Sequence, residues 1–355
     1  MPNKIKNKVV VAMSGGVDSS VAAALLKRAG FDVVGVFLKI HELLSLKESE
    51  KRAKKVAKSL RIPLLVLDLK KEFKKKIINC FLEEIRNGNT PNPCIICNKE
   101  IKFTKLLEIA KKMKADFVAT GHYARKRELK TENSKLKTYH LYKGKDKNKD
   151  QSYFLWKLNQ QQLKSILFPV GNYTKAQIRK MAKKFKLQFS KTPESQEICF
   201  IEKDINDFLY RYLKSQPGKI VNERGEMLGK HRGLHFYTIG QRKGIQVFEG
   251  PWYVLEKDSK RNFLIVTKNE KDLEKKELIA KDINWTSGNI PKFPLKLKTK
   301  IRSRSFLVSA KIFKIDDATL KVLFDRPQRA ITPGQSVVFY KGEELLGGGI
   351  IKSAK

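Results

Sequence analysis

Residues 9–20 read VVVAMSGGVDSS, and the helical pattern VAAALLKRAG follows from Val21. An unbroken apolar run closed by Ser-Gly-Gly predicts a buried strand that turns directly into a helix. The glycines let backbone N–H groups approach an oxyanion, hydroxyls add donors, and the helix N-terminus adds positive potential. The stretch lacks the Gly-Lys-Ser/Thr of a Walker loop and the G-x-G-x-x-G of a dinucleotide fold. A phosphate cradle of another kind is expected; the plainer alternative is an ordinary strand-to-helix turn with an Asx or Ser cap.

Outward from this loop the chain alternates. Apolar runs at 9–13, 32–40, 63–69 and 116–121 read as strands, with helical patterns at 19–29, 47–60, 71–87 and 99–113 between them. That alternation predicts an α/β fold with an N-terminal doubly wound parallel sheet, whose ligands sit beyond the carboxyl ends of the strands. Met13-Ser14, Leu38 and Gly121-His122 fall at such ends and are expected to ring one nucleotide pocket. Residues 126–150 read as a surface hairpin, and 159–187 as helical with Thr174 as N-cap. Residues 204–214 read as a further amphipathic helix. From about 219 Gly-rich turns separate β-rich runs, and from about 280 short strands at regular spacing predict a small closed barrel. The expected domains are 1–203, 204–276 and 277–355.

Apolar content of 41% with 9% aromatics in 355 residues is that of a globular protein with several cores. No run approaches the roughly 18 apolar residues of a membrane span, and MPNKIKNK lacks a signal-peptide apolar region, so a cytoplasmic protein with no membrane partner is expected. Net charge is +39, from 75 basic against 36 acidic residues, which favours a polyanionic partner, nucleic acid first.

Four cysteines in such a chain argue against a disulfide framework. Cys94 and Cys97 lie in TPNPCIICNKEIKF (90–103), where a loop enters a helix, a position expected to lower thiol pKa. Cys199 lies in SQEICFIEK (195–203). Cys80 fits an apolar helix face and is expected in the core. A structural zinc needs four Cys or His ligands, and only His122 is near in sequence.

Five strings together are similar to the bacterial and mitochondrial tRNA-specific 2-thiouridylases: SGGVDSS (14–20), TPNPCIICNKEIKF (90–103), ATGHYAR (119–125), KDQSYFLW (149–156) and SQEICFI (195–201). QPGKI (216–220), YTIGQRKG (237–244) and ITPGQ…GGGII (331–351) extend the likeness over nearly the whole chain. The first string resembles the PP-loop of ATP pyrophosphatases. The resemblance implies a PP-loop domain of the adenine-nucleotide α-hydrolase type, a small central domain and a C-terminal β-barrel. It implies that ATP, with Mg2+, adenylates O2 of the wobble uridine of a tRNA, after which sulfur replaces the activated oxygen. Ala12, Met13, Ser14, Gly15, Gly16, Val17, Asp18 and Ser19, with Leu38 and Gly121, would bind ATP. Cys199 would accept a persulfide from a sulfur carrier or cysteine desulfurase, and Cys97 would be the nucleophile that releases the sulfur, leaving a Cys97–Cys199 disulfide.

The position three before Cys97 is often Asp in the family; here it is Cys94. Cys94, Cys97 and Cys199 could instead hold a [4Fe–4S] cluster, since thiolates are its natural ligands. The residues leave both schemes open. Asn92, Pro93 and Cys94 lie where the family meets the target base. Lys149, Asp150, Gln151, Arg302 and Ser303 match its tRNA contacts, with His122 and Gln335 as further candidates. Arg302-Ser303-Arg304 departs from the commoner Arg-Tyr-Arg, and the stretch after Leu38 is shorter than the family's. A PP-loop amide or argininosuccinate-type ligase would explain the ATP loop without needing the distant cysteines. A non-catalytic basic RNA-binding protein would explain the charge and leave SGGVDSS unused.

Overall fold

A computed structural model describes residues 7–130, 137–187, 198–202 and 204–355. Residues 1–6, the tip of the expected hairpin (131–136), residues 195–197 of the SQEICFI string and residue 203 lie outside the described residues.

The first sheet has five parallel strands in the order β3-β2-β1-β4-β7. They are β1 (Lys8–Ala12), β2 (Asp32–Lys39), β3 (Leu64–Asp68), β4 (Phe117–Ala119) and β7 (Ile166–Leu167). Val9, Val10 and Val11 are fully buried between β2 and β4, which is why this strand reads as a continuous apolar run. The order reverses at β1, so the crevice that binds ligands in such sheets opens beyond Ala12. Helix α1 (Val17–Arg28) starts there, and α2 (Leu44–Leu60) follows β2.

The stretch 159–187 is not one helix. It forms a helix Gln160–Ser165, then β7, then a helix Lys175–Lys184 whose N-cap is Thr174, in a capping box with Gln177. Pro169 disfavours helical backbone at Phe168, and the apolar Ile166-Leu167 pair joins the sheet edge beside Val118 and Ala119.

The hairpin β5 (Ala124–Lys130) and β6 (Lys137–Lys143) is not a free surface element. Tyr142 and Leu141 pair with Glu344 and Leu345, so the first domain adds two strands to the last. The central sheet runs β10-β11-β8-β9, from β8 (Gly218–Val221), β9 (Met227–His231), β10 (Tyr253–Asp258) and β11 (Phe263–Thr267). Ahead of it lies a helix Ile205–Tyr210, capped by Asp204.

The C-terminal barrel has six antiparallel strands: β12 (Glu274–Trp285), β13 (Leu295–Lys300), β14 (Val308–Lys314), β15 (Leu320–Arg329), β16 (Ser336–Lys341) and β17 (Glu344–Ala354). Strand β12 pairs with both β15 and β17, which closes the barrel. Gly348 permits close approach to the first domain: a Cβ there would lie 2.8 Å from Cδ2 of the fully buried Trp156. Val338, Tyr340 and Leu345 of the barrel share one apolar core with Val10, Phe103 and Trp156.

Candidate functional site

The loop between β1 and α1 is built as an anion cradle. Gly15 has φ +75°, and a Cβ on it would fall 2.1 Å from the Ser49 carbonyl oxygen, so a side chain is excluded twice over. Gly16 is the N-cap of α1 and carries no side-chain cap, and Asp18 is the one acidic residue in the first turn of that helix. Ser19 Oγ accepts from the Ser14 N–H and donates to the Gly16 carbonyl, both at 3.1 Å, and Ser20 Oγ donates to the same carbonyl at 2.8 Å. Ala12 and Val17 bound the loop as the last residue of β1 and the first of α1. Met13 N–H donates to Val36 of β2 at 2.8 Å, which ties the loop to the strand that carries Leu38. A Cβ on Gly121 would lie 2.7 Å from Ser19 N, so β4 exits against the start of α1.

Asp18 is held from two sides. Lys175 Nζ lies 2.7 and 2.8 Å from its carboxylate oxygens, and the Tyr123 hydroxyl donates to Oδ1 at 2.7 Å. Sequence reasoning missed both partners, because they come from elements more than a hundred residues away. Thr174, the capping residue just ahead of Lys175, and the string ATGHYAR, which contains Tyr123, were the signals pointing there.

The cysteines converge as well. Cys97 is buried and Phe200 shares its apolar cluster. Phe200 packs edge-on to Phe73 and Phe81, each at 5.7 Å between centroids, and tilted on Phe208 at 5.2 Å. That aromatic anchor brings Cys199 within electrostatic reach of Cys97 and Cys94 across a separation of 102 residues. Cys199 has a solvent-exposed side, yet the protein packed round its sulfur pushes the thiol up to about 12, with Cys97 adding to the effect. Burial likewise pushes the Cys94 and Cys97 thiols up. The expectation that a helix N-terminus lowers these pKa values is thereby corrected: desolvation outweighs the end of a four-residue helix, Pro93–Ile96. Lys102 faces all three thiols and is the cation that pulls the other way.

Cys80 is exposed, against the expectation of a core position. The buried stripe of its helix is Phe73, Ile77, Phe81, Leu82 and Ile85, and Cys80 lies about 100° round the axis from Phe81, on the side away from Leu82. Among the described residues no group of three or more His, Cys, Asp or Glu is placed to hold a metal ion.

His122 packs on Phe103 with 5.7 Å between ring centroids, and its Nδ1 lies 2.8 Å from Thr120 Oγ1. Burial, with Lys102 adding to it, pulls the imidazole down to about 3, so it is neutral at physiological pH.

The residues expected to meet RNA gather where the barrel touches the first domain, and most brace loops there. Asn92 caps the Cys94 N–H at 3.2 Å, with Pro93 buried behind it as the first helical residue. Gln335 Nε2 donates to the Thr90 carbonyl at 2.7 Å, and Thr90 N–H donates to Pro333 at 2.8 Å. Asp150 accepts from the Gly144 and Ser152 N–H groups at 3.0 and 3.1 Å, and Gln151 Oε1 accepts from Tyr123 N–H at 3.0 Å. Arg302 donates to the Ala330 carbonyl and, at 2.9 Å, to Thr332 Oγ1. Lys149 N–H turns back to Asp146 at 3.1 Å, and the Ser303 carbonyl accepts from Lys300 at 3.2 Å. Asn98, beside Cys97, is 2% exposed; its Nδ2 donates to Phe154, and its Oδ1 has no partner among the described residues.

This architecture is met in known proteins. A family model described as the tRNA methyl transferase HUP domain matches residues 7–203. The corresponding PRC-barrel domain matches 206–268, and the aminomethyltransferase beta-barrel domain 275–351. The fold and the loop therefore define an ATP-using HUP domain joined to two β domains. Among similar chains, the tRNA-specific 2-thiouridylase MnmA of Halothermothrix orenii is 44% identical over 98% of this chain and 99% of its own. That of Coxiella burnetii (strain RSA 493) is 43% identical over 99% of this chain and 100% of its own. That of Buchnera aphidicola subsp. Schizaphis graminum is 44% identical over 99% and 98%. The chain belongs to the family of tRNA-specific 2-thiouridylases. Among solved structures, the U34-tRNA thiolase NcsA from Methanococcus maripaludis, with its [4Fe-4S] cluster, is 18% identical, with a TM-score of 0.37 over 56% of this chain and 63% of that one.

Proposed function

We propose that the chain is a tRNA sulfurtransferase that makes 2-thiouridine at the wobble position in two stages, in the cytoplasm. The observation that carries this reading is that Cys199 comes within electrostatic reach of Cys97, in a chain of the 2-thiouridylase family. In the first stage ATP, entering with Mg2+, lies on Ala12–Ser19 with Leu38 and Gly121 at its edges. Uridine O2 attacks the α-phosphorus and pyrophosphate leaves. A carbonyl oxygen is a poor leaving group until it carries AMP, so this step prepares the second.

In the second stage a sulfur carrier or desulfurase has loaded Cys199 as a persulfide. Its terminal sulfur adds to uridine C2 and AMP departs with the oxygen. The Cys97 thiolate then attacks Cys199 Sγ; the bond to the transferred sulfur breaks, 2-thiouridine leaves, and a Cys97–Cys199 disulfide remains for an external thiol to reduce. The cluster alternative rests on the ligand count of Cys94, Cys97 and Cys199, and their placement does not fit a metal centre. The division 1–203, 204–276 and 277–355 is the domain reading we adopt for this scheme. Asn92, Pro93 and Cys94 would meet the base, and His122, Lys149–Gln151, Arg302–Ser303 and Gln335 the rest of the tRNA.

The test separates the stages. Asp18→Ala abolishes tRNA-stimulated pyrophosphate release, whereas Cys199→Ser retains it and yields no 2-thiouridine by mass spectrometry of digested tRNA. Thiolation by Cys199→Ser would overturn the scheme. Full activity of iron-free protein is expected; activity that tracks iron and sulfide content after anaerobic purification would replace it with the cluster mechanism.

A further inference from the structure

The helix that carries Cys97 is interrupted. Residues Cys97–Phe103 form a π-helical stretch between the short α-helix Pro93–Ile96 and the α-helix Thr104–Lys112. Residues five apart lie about 140° apart round an α-helix. A π-turn closes on the fifth residue and returns it to the same face. Cys97 and Lys102 are five apart. Ile101 and Phe103, both fully buried, fix the rotation of the turn. The interruption therefore brings an ammonium to the face that carries the nucleophilic thiol, where a regular helix would have turned it away.

Lys102 has an unusual set of neighbours. The lysines beside it on this helix have carboxylates: Lys99 lies 4.0 Å from Glu100, and Lys105 lies 3.1 Å from Glu72 and 3.0 Å from Glu108. Lys102 has no carboxylate partner among the described residues. The titratable groups within electrostatic reach of it are Cys97, Cys94, Cys199 and His122. Enclosure disfavours a lone cation unless an opposite charge is supplied. The missing charge is one that the sulfur chemistry creates, since each thiol becomes an anion as it turns nucleophile or leaving group. A cation whose partner appears only during reaction stabilises the reacting state more than the resting one.

We propose that Lys102 is a positioning residue for sulfur transfer, the counter-charge that holds Cys97 as the attacking thiolate and steadies the sulfur on Cys199. In the disulfide-forming step a bond forms from Cys97 Sγ to Cys199 Sγ and the bond from Cys199 to the transferred sulfur breaks. Negative charge moves from Cys97 to that departing sulfur, and Lys102 stays beside it throughout. This assignment rests on the sulfur-carrying role of the two cysteines given above.

The test does not depend on tRNA. Wild type, Lys102→Met and Lys102→Arg are treated with iodoacetamide across a pH series, and alkylation of each cysteine is followed by peptide mass spectrometry. Exposed Cys80 serves as the internal reference. Lys102→Met is expected to move the midpoint of the Cys97 profile up by about one pH unit, a tenfold slowing relative to Cys80 at fixed pH. Lys102→Arg, which keeps the charge, is expected to restore the wild-type profile. An unchanged ratio of Cys97 to Cys80 in the Met variant overturns the proposal, as does an Arg variant that behaves like Met. Should the Met variant unfold, with Cys97 reacting as fast as Cys80, Lys102→Gln carries the same comparison. A wild type that shows this alkylation pattern but makes no 2-thiouridine would refute the function and leave the counter-charge standing.

Discussion

Lowering the pH should weaken the first domain through His122. Its imidazole, pulled from the ordinary 6.5 to about 3 chiefly by burial against Phe103, stays neutral in the folded chain. The unfolded chain takes up that proton near 6.5, so between 6.5 and 3 the unfolded state binds more protons and stability falls as pH falls. At pH 5 the gap is a unit and a half, and at about 1.4 kcal/mol per unit the loss is about 2 kcal/mol. Urea unfolding of wild type and His122→Gln, at pH 7.5 and 5.0, isolates this share. His41, His231 and His235 are also held below their usual value by burial, but they remain in both proteins and cancel in the comparison. Tryptophan fluorescence, to which Trp156, fully buried where the first domain meets the barrel, contributes with Trp252 and Trp285, reports the transition. The variant should lose about 2 kcal/mol less than wild type on acidification. Equal losses in the two proteins, or a His122 titration near 6.5 by NMR, would refute the reasoning.

Four further outcomes follow from the packing. Phe200→Ala removes a ring enclosed by Phe73, Phe81 and Phe208; it should cost about 3–5 kcal/mol and slow oxidative formation of a Cys97–Cys199 disulfide in a diamide assay. Gly334→Ala meets both a φ of +89° and a Cβ contact of 2.9 Å with Asn89 and Thr90, so a loss of about 1–3 kcal/mol is expected in urea unfolding. Gly121→Ala has no backbone penalty but drives a methyl to 2.7 Å from Ser19 N, and should raise the KM for ATP in pyrophosphate release. Cys80→Ser should change stability by no more than about 0.5 kcal/mol and leave thiolation at the wild-type level, because the thiol is exposed and outside the site.

What could be read from the sequence was what local pattern controls. Val9–Val11, flanked by parallel strands on both sides, had to be apolar throughout, and the Gly-Gly turn after it marked where the strand gives way to a helix. Five of the six barrel strands showed themselves by spacing. Strand β12 did not, because bulges at 275–277, 279–280 and 281–284 break its two-residue period. The helix 97–103 looked like a regular α-helix, since nothing in composition marks an i→i+5 turn. Thiol acidity failed for a related reason. A helix N-terminus is visible in sequence, whereas the desolvation that overrides it comes from Phe200 and neighbours a hundred residues on.

The same separation governs how the site is assembled. The loop ahead of Cys94 has few apolar side chains with which to fix itself: Asn89, Thr90 and Asn92 are polar, and Pro93 is its buried anchor. Its position is set from outside, by Gln335 and Pro333 bonding both polar groups of the Thr90 backbone and by Gly334 packed against it. Tyr153 reaches the Ser336 carbonyl at 2.8 Å and Ser152 lies 3.2 Å from the Tyr340 hydroxyl, so residues 152–153 are fastened to β16, the strand that directly follows Gln335. The barrel is thus part of the geometry that aims Cys94 and Cys97, and not an appended basic surface alone. A barrel variant at Gln335 should therefore disturb sulfur transfer even where RNA binding is unchanged. Gln335→Ala, which strips one hydrogen bond worth about 1 kcal/mol, is expected to lower the rate of 2-thiouridine formation at saturating tRNA. An effect on tRNA affinity alone would show that the barrel only binds.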